Sequence, residues 1–133
     1  MAHFAKLGED NIVLDVIVID NKDNAHPQTL VEDENLGIAF CEKLTGHATW
    51  KQASYNGAFR KQFAGVGMTY NSELDMFIHS KPFPSWTLDS SGDWQPPVAK
   101  PADFLPHNQG GNYLWNESGQ SWDANPDYTP YTP

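Results

Sequence analysis

Cys41 and His47 flank the stretch Cys41-Glu-Lys-Leu-Thr-Gly-His47, and a helix ending between them would bring a thiol and an imidazole together. That pair has the form of a nucleophile and its base. Helical spacing, however, places Cys41 on the buried face, where a cysteine behaves as a small inert hydrophobe. His3, His26, His47, His79 and His107 include no i, i+4 pair, and a single cysteine cannot complete a zinc site. Asp20-Asn-Lys-Asp23-Asn24 and Glu32-Asp33-Glu34 carry oxygen donors without the glycine and terminal bidentate glutamate of a calcium loop. A solvated turn and a helix N-terminus account for them. Ser54, Ser85 and Ser121 stand in no nucleophile elbow. No glycine loop fits a phosphate, and Gly65-Val-Gly67 reads as a turn. The sequence therefore predicts a protein that is not an enzyme, with no catalytic residue, metal site or cofactor.

The informative side chains are aromatic: 5 Trp, 5 Tyr and 7 Phe in 133 residues, far too many for a disordered acidic tail. Three segments share one plan, an aromatic, a polar turn and a second aromatic. They are Tyr70…Phe77, Trp86…Trp94 and Trp115…Trp122. An Asn or Asp at each turn entry can accept from backbone amides, and Gly92 and Gly119 suit left-handed positions. The flanking rings would then face one another across two strands. As plain packing, they clasp ribbons that are marginal alone. As a ligand surface, exposed Trp and Tyr rings would stack on sugars. As an interface, they fill pockets of a neighbouring subunit, the reading favoured for Trp94, Trp115 and Trp122. Trp86, Tyr113 and Phe104 join them as interface candidates. So does Arg60, whose pair with Lys61 lies between Phe59 and Phe63 and is expected to meet a carboxylate on a neighbour.

Charge narrows the partners. Eight basic residues against 17 acidic ones give a net charge of −9. Phosphate contacts supply most nucleic-acid affinity, so nucleic acid is excluded as a partner, and an anionic membrane is disfavoured likewise. The apolar run Ile12–Ile19 is too short to span a bilayer, and the start lacks a signal-peptide profile. One cysteine excludes a disulfide framework and fits a reducing compartment.

The elements that must position these residues read as α+β, mostly β. Phe4–Leu7 and Ile12–Ile19 flank the turn formers Gly8-Glu-Asp-Asn11 and predict a hairpin. Leu14, Val16 and Val18 would point one way and Val13, Asp15, Ile17 and Ile19 the other, which predicts an interior strand covered on both faces. Apolar positions 36, 40, 41 and 44 predict a short helix near 34–45 that packs on the hairpin through Phe40 and Leu44 and stops at Gly46. Gly37 weakens that helix by about 1 kcal/mol relative to Ala. Strands follow at Thr49–Tyr55, Phe59–Ala64 and Gly67–Tyr70, with Asn56-Gly57 the strongest hairpin signal. Nine of the 10 prolines lie from Pro82 onward, which excludes long sheets there. Residues 1–80 thus form an antiparallel β body with one short helix, and 81–133 a Pro/Trp-rich extended arm of small hairpins.

Several blocks carry a resemblance: Phe4-Ala-Lys-Leu with Asn11–Ile19, Ser54-Tyr-Asn, Phe59-Arg-Lys, Ala64-Gly-Val-Gly-Met-Thr-Tyr70 and Lys81-Pro-Phe-Pro-Ser-Trp86-Thr-Leu. Over most of residues 1–98 the chain resembles small virion-associated proteins of marine tailed bacteriophages, cyanophages among them. A looser echo lies at Tyr113-Leu-Trp115 and Trp122, and the sequence beyond Pro101 departs from the pattern. The resemblance implies a component of a phage particle, present in many copies or as a homo-oligomer, assembled in the host cytoplasm and bound to major capsid protein or tail subunits. It transfers no active-site residues. The expected role is a head decoration or cement subunit that clamps its neighbours through the aromatic arm. The alternative is a tail or fibre component that binds host glycans through Trp86, Trp94, Trp115 or Trp122.

Overall fold

Strand β1 (Ala2–Leu7) lies at the centre of a three-stranded antiparallel sheet, between β2 (Val13–Ile19) and β3 (Trp50–Ala53). The computed structural model describes residues 1–130, so the last positions of the Tyr128-Thr-Pro-Tyr-Thr-Pro133 tail lie outside the described residues. Among the described residues the fold is mostly β, built from antiparallel sheets and a single α-helix. It divides into two compact units. The first holds Met1–Ser80 with Ser90–Gly92, and the second holds Lys81–Asp89 with the chain from Asp93 on.

The strand covered on both faces is β1 rather than the Val- and Ile-rich β2. Ala2 and Phe4 pack with Ile19, Cys41 and Trp50, while Ala5 and Leu7 pack with Val13, Met68, Tyr70 and Phe77. Successive side chains of a strand point to opposite faces, so β1 sits between two cores. β2 is an edge strand, as is β3, and Leu14 and Val18 are about half exposed. The expected alternation fails because a bulge intervenes: Lys6 pairs with Asp15 but Leu7 pairs with Val13, leaving Leu14 as the extra residue. Val13 and Val16 consequently share a core, and Ile17 and Ile19 share the other. At the edge, the Asp15 carboxylate accepts from the Val16 amide at 2.8 Å. The turn before β2 places Asp10 and Asn11 at positive φ, the conformation these residues tolerate.

Helix α1 (Glu34–Thr45) begins at Asp33, whose side chain accepts from the Asn35 amide at 2.9 Å, and ends at Gly46 with φ 78°. Of the two expected anchors, Phe40 packs against the Phe4–Cys41–Trp50 cluster and Leu44 does not. Leu44 is exposed and Phe40 only half-buried, whereas Gly37 and Cys41 are buried. Gly37 is where the helix touches the sheet: a Cβ there would fall well inside van der Waals contact of Phe4 Cζ and Asn24 Oδ1. The small residue therefore sets the helix-to-strand spacing rather than merely weakening the helix.

Residues 59–64 form no strand. Arg60 and Lys61 take positive φ, and Asn56-Gly57 makes a turn, with the Gly57 amide bonded to Ser54 O at 3.1 Å, that no paired strand follows. The chain instead runs beside the hairpin of β4 (Thr69–Asn71) and β5 (Met76–Ile78). The Phe77 amide donates to Arg60 O, and Gln62 Nε2 donates to Phe77 O at 2.8 Å. Tyr70 and Phe77 pair across this hairpin with ring centroids 5.5 Å apart, as the repeat predicts.

The Gly37 contact decides the sign of a substitution. Gly37→Ala gains about 1 kcal/mol of helix propensity but overpacks a core position, which costs about 1–3 kcal/mol. Urea unfolding followed by circular dichroism is expected to show net destabilisation, whereas Gly37→Ala in an open helix would stabilise.

Candidate functional site

In the second unit, strands β6 (Thr87–Leu88) and β7 (Trp94–Gln95) form one hairpin, and β8 (Tyr113–Asn116) and β9 (Ser121–Ala124) form another. Asp89 and Asn116 accept from the amides of Asp93 and Gly119 at the turn entries, both at 2.9 Å, as Asn71 does for Leu74 in the first unit. Gly92 takes φ 80°, but at the other tip Gln120, not Gly119, holds the left-handed position, φ 51°, with its side-chain amide on Glu117 O.

The paired rings differ between the hairpins. Trp115 and Trp122 face each other directly, centroids 5.2 Å apart. Trp86 and Trp94 do not: register pairs Leu88 with Trp94, and Trp86 lies outside the ladder. Trp86 instead meets Trp115 and Trp122, each at 6.0 Å, and Phe83 at 5.8 Å, while Phe104 meets Trp122 at 5.4 Å. Phe83, Trp86, Phe104, Tyr113, Trp115 and Trp122 line a cleft of about 270 Å³. Trp94 is not among the residues lining this cleft, and Lys81 Nζ lies 5.9 Å from its ring centroid. Among the predicted interface residues the fold therefore gathers Trp86, Trp115, Trp122, Phe104 and Tyr113.

A carboxylate holds this cluster. Glu117 accepts from the Ser85 hydroxyl at 2.5 Å, the Ser85 amide at 3.1 Å and Trp115 Nε1 at 2.9 Å, joining the segment before Trp86 to the β8–β9 hairpin. The Ser85 hydroxyl first, and Trp115 next, hold its carboxyl below the usual glutamate range. Asn112 adds a second tie, accepting from the Leu105 amide at 2.7 Å and donating to Asp103 O. Tyr113 donates to Asp103, and that bond raises its phenol pKa. Trp122 Nε1 donates to Val98 O at 3.0 Å. None of the described residues of this unit is fully buried, and each ring of the cluster is half-buried. Its indoles cross at interplanar angles of 64° to 85°, so they form no coplanar stacking platform.

Arg60 belongs to a different assembly. Its carboxylate partners come from its own chain, contrary to the expected neighbour. The guanidinium pairs with both oxygens of Glu34, donates through Nε to Asp75 at 2.8 Å and reaches Gln52 O at 2.9 Å. The other Glu34 contact is the Gln52 amide at 2.7 Å, and Tyr70 Oη donates to Asp75 at 2.5 Å. Burial would raise the Glu34 pKa, but the bonds from Arg60 and Gln52 and the nearby positive charges outweigh it and lower the value. Asp75 is lowered by Arg60 and then Tyr70. Burial pushes Arg60 down, and its two carboxylates more than reverse that.

The other reactive groups are committed structurally. Cys41 has no exposed surface, and burial pushes its thiol up to about 11. His47 Nε2 lies 2.6 Å from Leu7 O, so the imidazole is held on the sheet rather than on the thiol. Asp33 caps α1 and lies 3.3 Å from His26. Among the described residues no group of three or more His, Cys, Asp and Glu side chains is placed to hold a metal ion. No helix among them is long and apolar enough to cross a membrane. No family model, curated protein or solved structure matches the chain.

Two outcomes test the Arg60 assembly. Glu34 and Asp75 titrate lower in the folded chain than unfolded, so their stabilisation is complete above the ordinary carboxylate range and is lost as pH falls through the folded values. The urea midpoint should therefore drop steeply below about pH 4. Arg60→Met should cost about 2–3 kcal/mol, chiefly by stranding the partly buried Glu34, because exposed Asp75 adds little. It should also flatten that acid limb in the same titration.

Proposed function

We propose that this chain is a structural subunit of a phage particle, a head decoration or cement protein whose second unit completes its aromatic cluster against neighbouring virion proteins. The observation that carries the reading is a unit with indoles gathered in one place and, among its described residues, none fully buried. A unit of that size has too little core to stabilise itself without disulfides, metal or a partner. Covering half-exposed indoles gains roughly 25 cal/mol per Å² of apolar surface, and tryptophans at the centre of an interface carry much of its energy. A subunit that binds only the assembled lattice raises the stability of that lattice by mass action.

The resemblance to virion-associated phage proteins points the same way, and the net charge of −9 favours protein partners over nucleic acid or an anionic membrane. Crossed ring planes favour interdigitation with another protein over an extended oligosaccharide laid across all three indoles. Trp94, outside the cleft lining and half-buried, is a second anchor of the same kind.

Co-sedimentation with assembled particles tests this. The full chain should pellet with particles, while the Trp115→Ser, Trp122→Ser double variant and a chain lacking 101–133 should stay in the supernatant. Both should keep the helix signal of the first unit. Undiminished pelleting of the truncated chain would overturn the proposal.

A further inference from the structure

We propose that Tyr55 and the side chains around it form a subsite for one neutral pyranose ring of an oligosaccharide. This site lies within the first unit and does not depend on the assembly reading. Tyr55 follows β3 and is 74% exposed, among the most open large side chains in the protein. An exposed tyrosine is ordinarily free to rotate, but this one is clamped. Its ring stacks on His3 at 5.4 Å and 26°, and Phe63 packs edge-on against both rings, at 5.4 Å from Tyr55 and 5.3 Å from His3. With one face backed by His3 and the edge fixed by Phe63, the ring is oriented before any ligand arrives. That removes the ordering cost an isolated surface ring would incur.

The ring borders a cleft of about 280 Å³ that is lined also by Glu32, Gln52, Ser54, Asn56 and Phe59. The cleft has the two features a pyranose needs. An aromatic face receives the ring's C–H side, and a fence of amide and carboxylate groups meets its hydroxyls. The Asn56 amide is oriented: Ser54 Oγ donates to its Oδ1 at 2.8 Å and accepts from the Ala58 amide, which points Nδ2 away as a donor. Gln52 offers a donor and an acceptor, and Glu32 offers acceptors.

Charge selects the class of ligand. The lining holds Glu32 and no Lys or Arg, with Met1 and His3 its only residues able to carry positive charge, so phosphates, sialic acids and uronic acids would meet a carboxylate and no lysine or arginine clamp. A purely apolar ligand would strand the amides. A neutral sugar satisfies both.

The test is a titration of the ¹⁵N-labelled full chain with maltotriose, cellotriose, mannotriose, chitotriose and galactobiose, each to about 20 mM, since a single-ring subsite binds in the millimolar range. At least one sugar should give saturable shifts in the Gln52 and Asn56 side-chain amides. Tyr55→Ala should weaken binding at least tenfold while lowering the urea midpoint only slightly, since the ring is largely exposed. Tyr55→Trp should retain binding, and Asn56→Asp, which keeps the turn but removes the donor, should weaken it. The proposal is overturned by no saturable shift with any of the five, by binding that survives Tyr55→Ala, by tighter binding of sialyllactose, or by shifts confined to the indoles of Trp86, Trp115 and Trp122.

Discussion

The Arg60 guanidinium is the constraint on which the first unit depends. It reaches the first turn of α1 through Glu34, the backbone of β3 through Gln52, and the β4–β5 hairpin through Asp75. Those three pieces lie far apart in the chain, and hydrophobic burial alone is non-directional. Planar, bidentate pairing supplies direction. To deliver the side chain, the backbone accepts positive φ at Arg60 and Lys61, a conformation that costs an ordinary residue free energy. The same turn brings Arg60 O to the Phe77 amide, so backbone and side chain both bind the hairpin.

The two units are stabilised by contrasting means. The first has two buried clusters on either face of β1, with Phe4 and Phe77 fully enclosed. The second substitutes a polar scaffold for a core: Glu117, Asn112 and Asn125 tie its loops to the β8–β9 hairpin, Asn125 through Gly111 O at 2.7 Å. Proline explains the substitution. With so few amide donors in register, ladders stay short, and side-chain acceptors take over the positioning of rings. A scaffold of this kind fixes the geometry of an aromatic surface without fully covering it.

Local chemistry was legible in the sequence, and long-range geometry was not. The limits of α1 were readable because Asp33 and Gly46 act on backbone within one turn of themselves. The facing pairs Tyr70–Phe77 and Trp115–Trp122 were readable because turn length fixes register. Trp86 and Trp94 broke the same rule because an offset register pairs Leu88 with Trp94. The edge position of β2 was hidden by the bulge at Leu14, which leaves no mark in composition. Residues 59–64 look extended until Arg60 meets partners 26 and 15 positions away. Gly37 reads as a helix defect when only propensity is weighed, and as a spacer once Phe4 is placed beneath it. Glu117 carried one faint signal, an acid in the turn between two tryptophans, whose indole N–H groups need acceptors.

The carboxylate of Asp15 has a consequence for the open side of β2. An open sheet margin is a template on which further chains can stack into fibrils. Here that margin carries a fixed negative charge, and the adjacent amide is already engaged by it. At high local concentration that charge opposes ribbon-like stacking along β2.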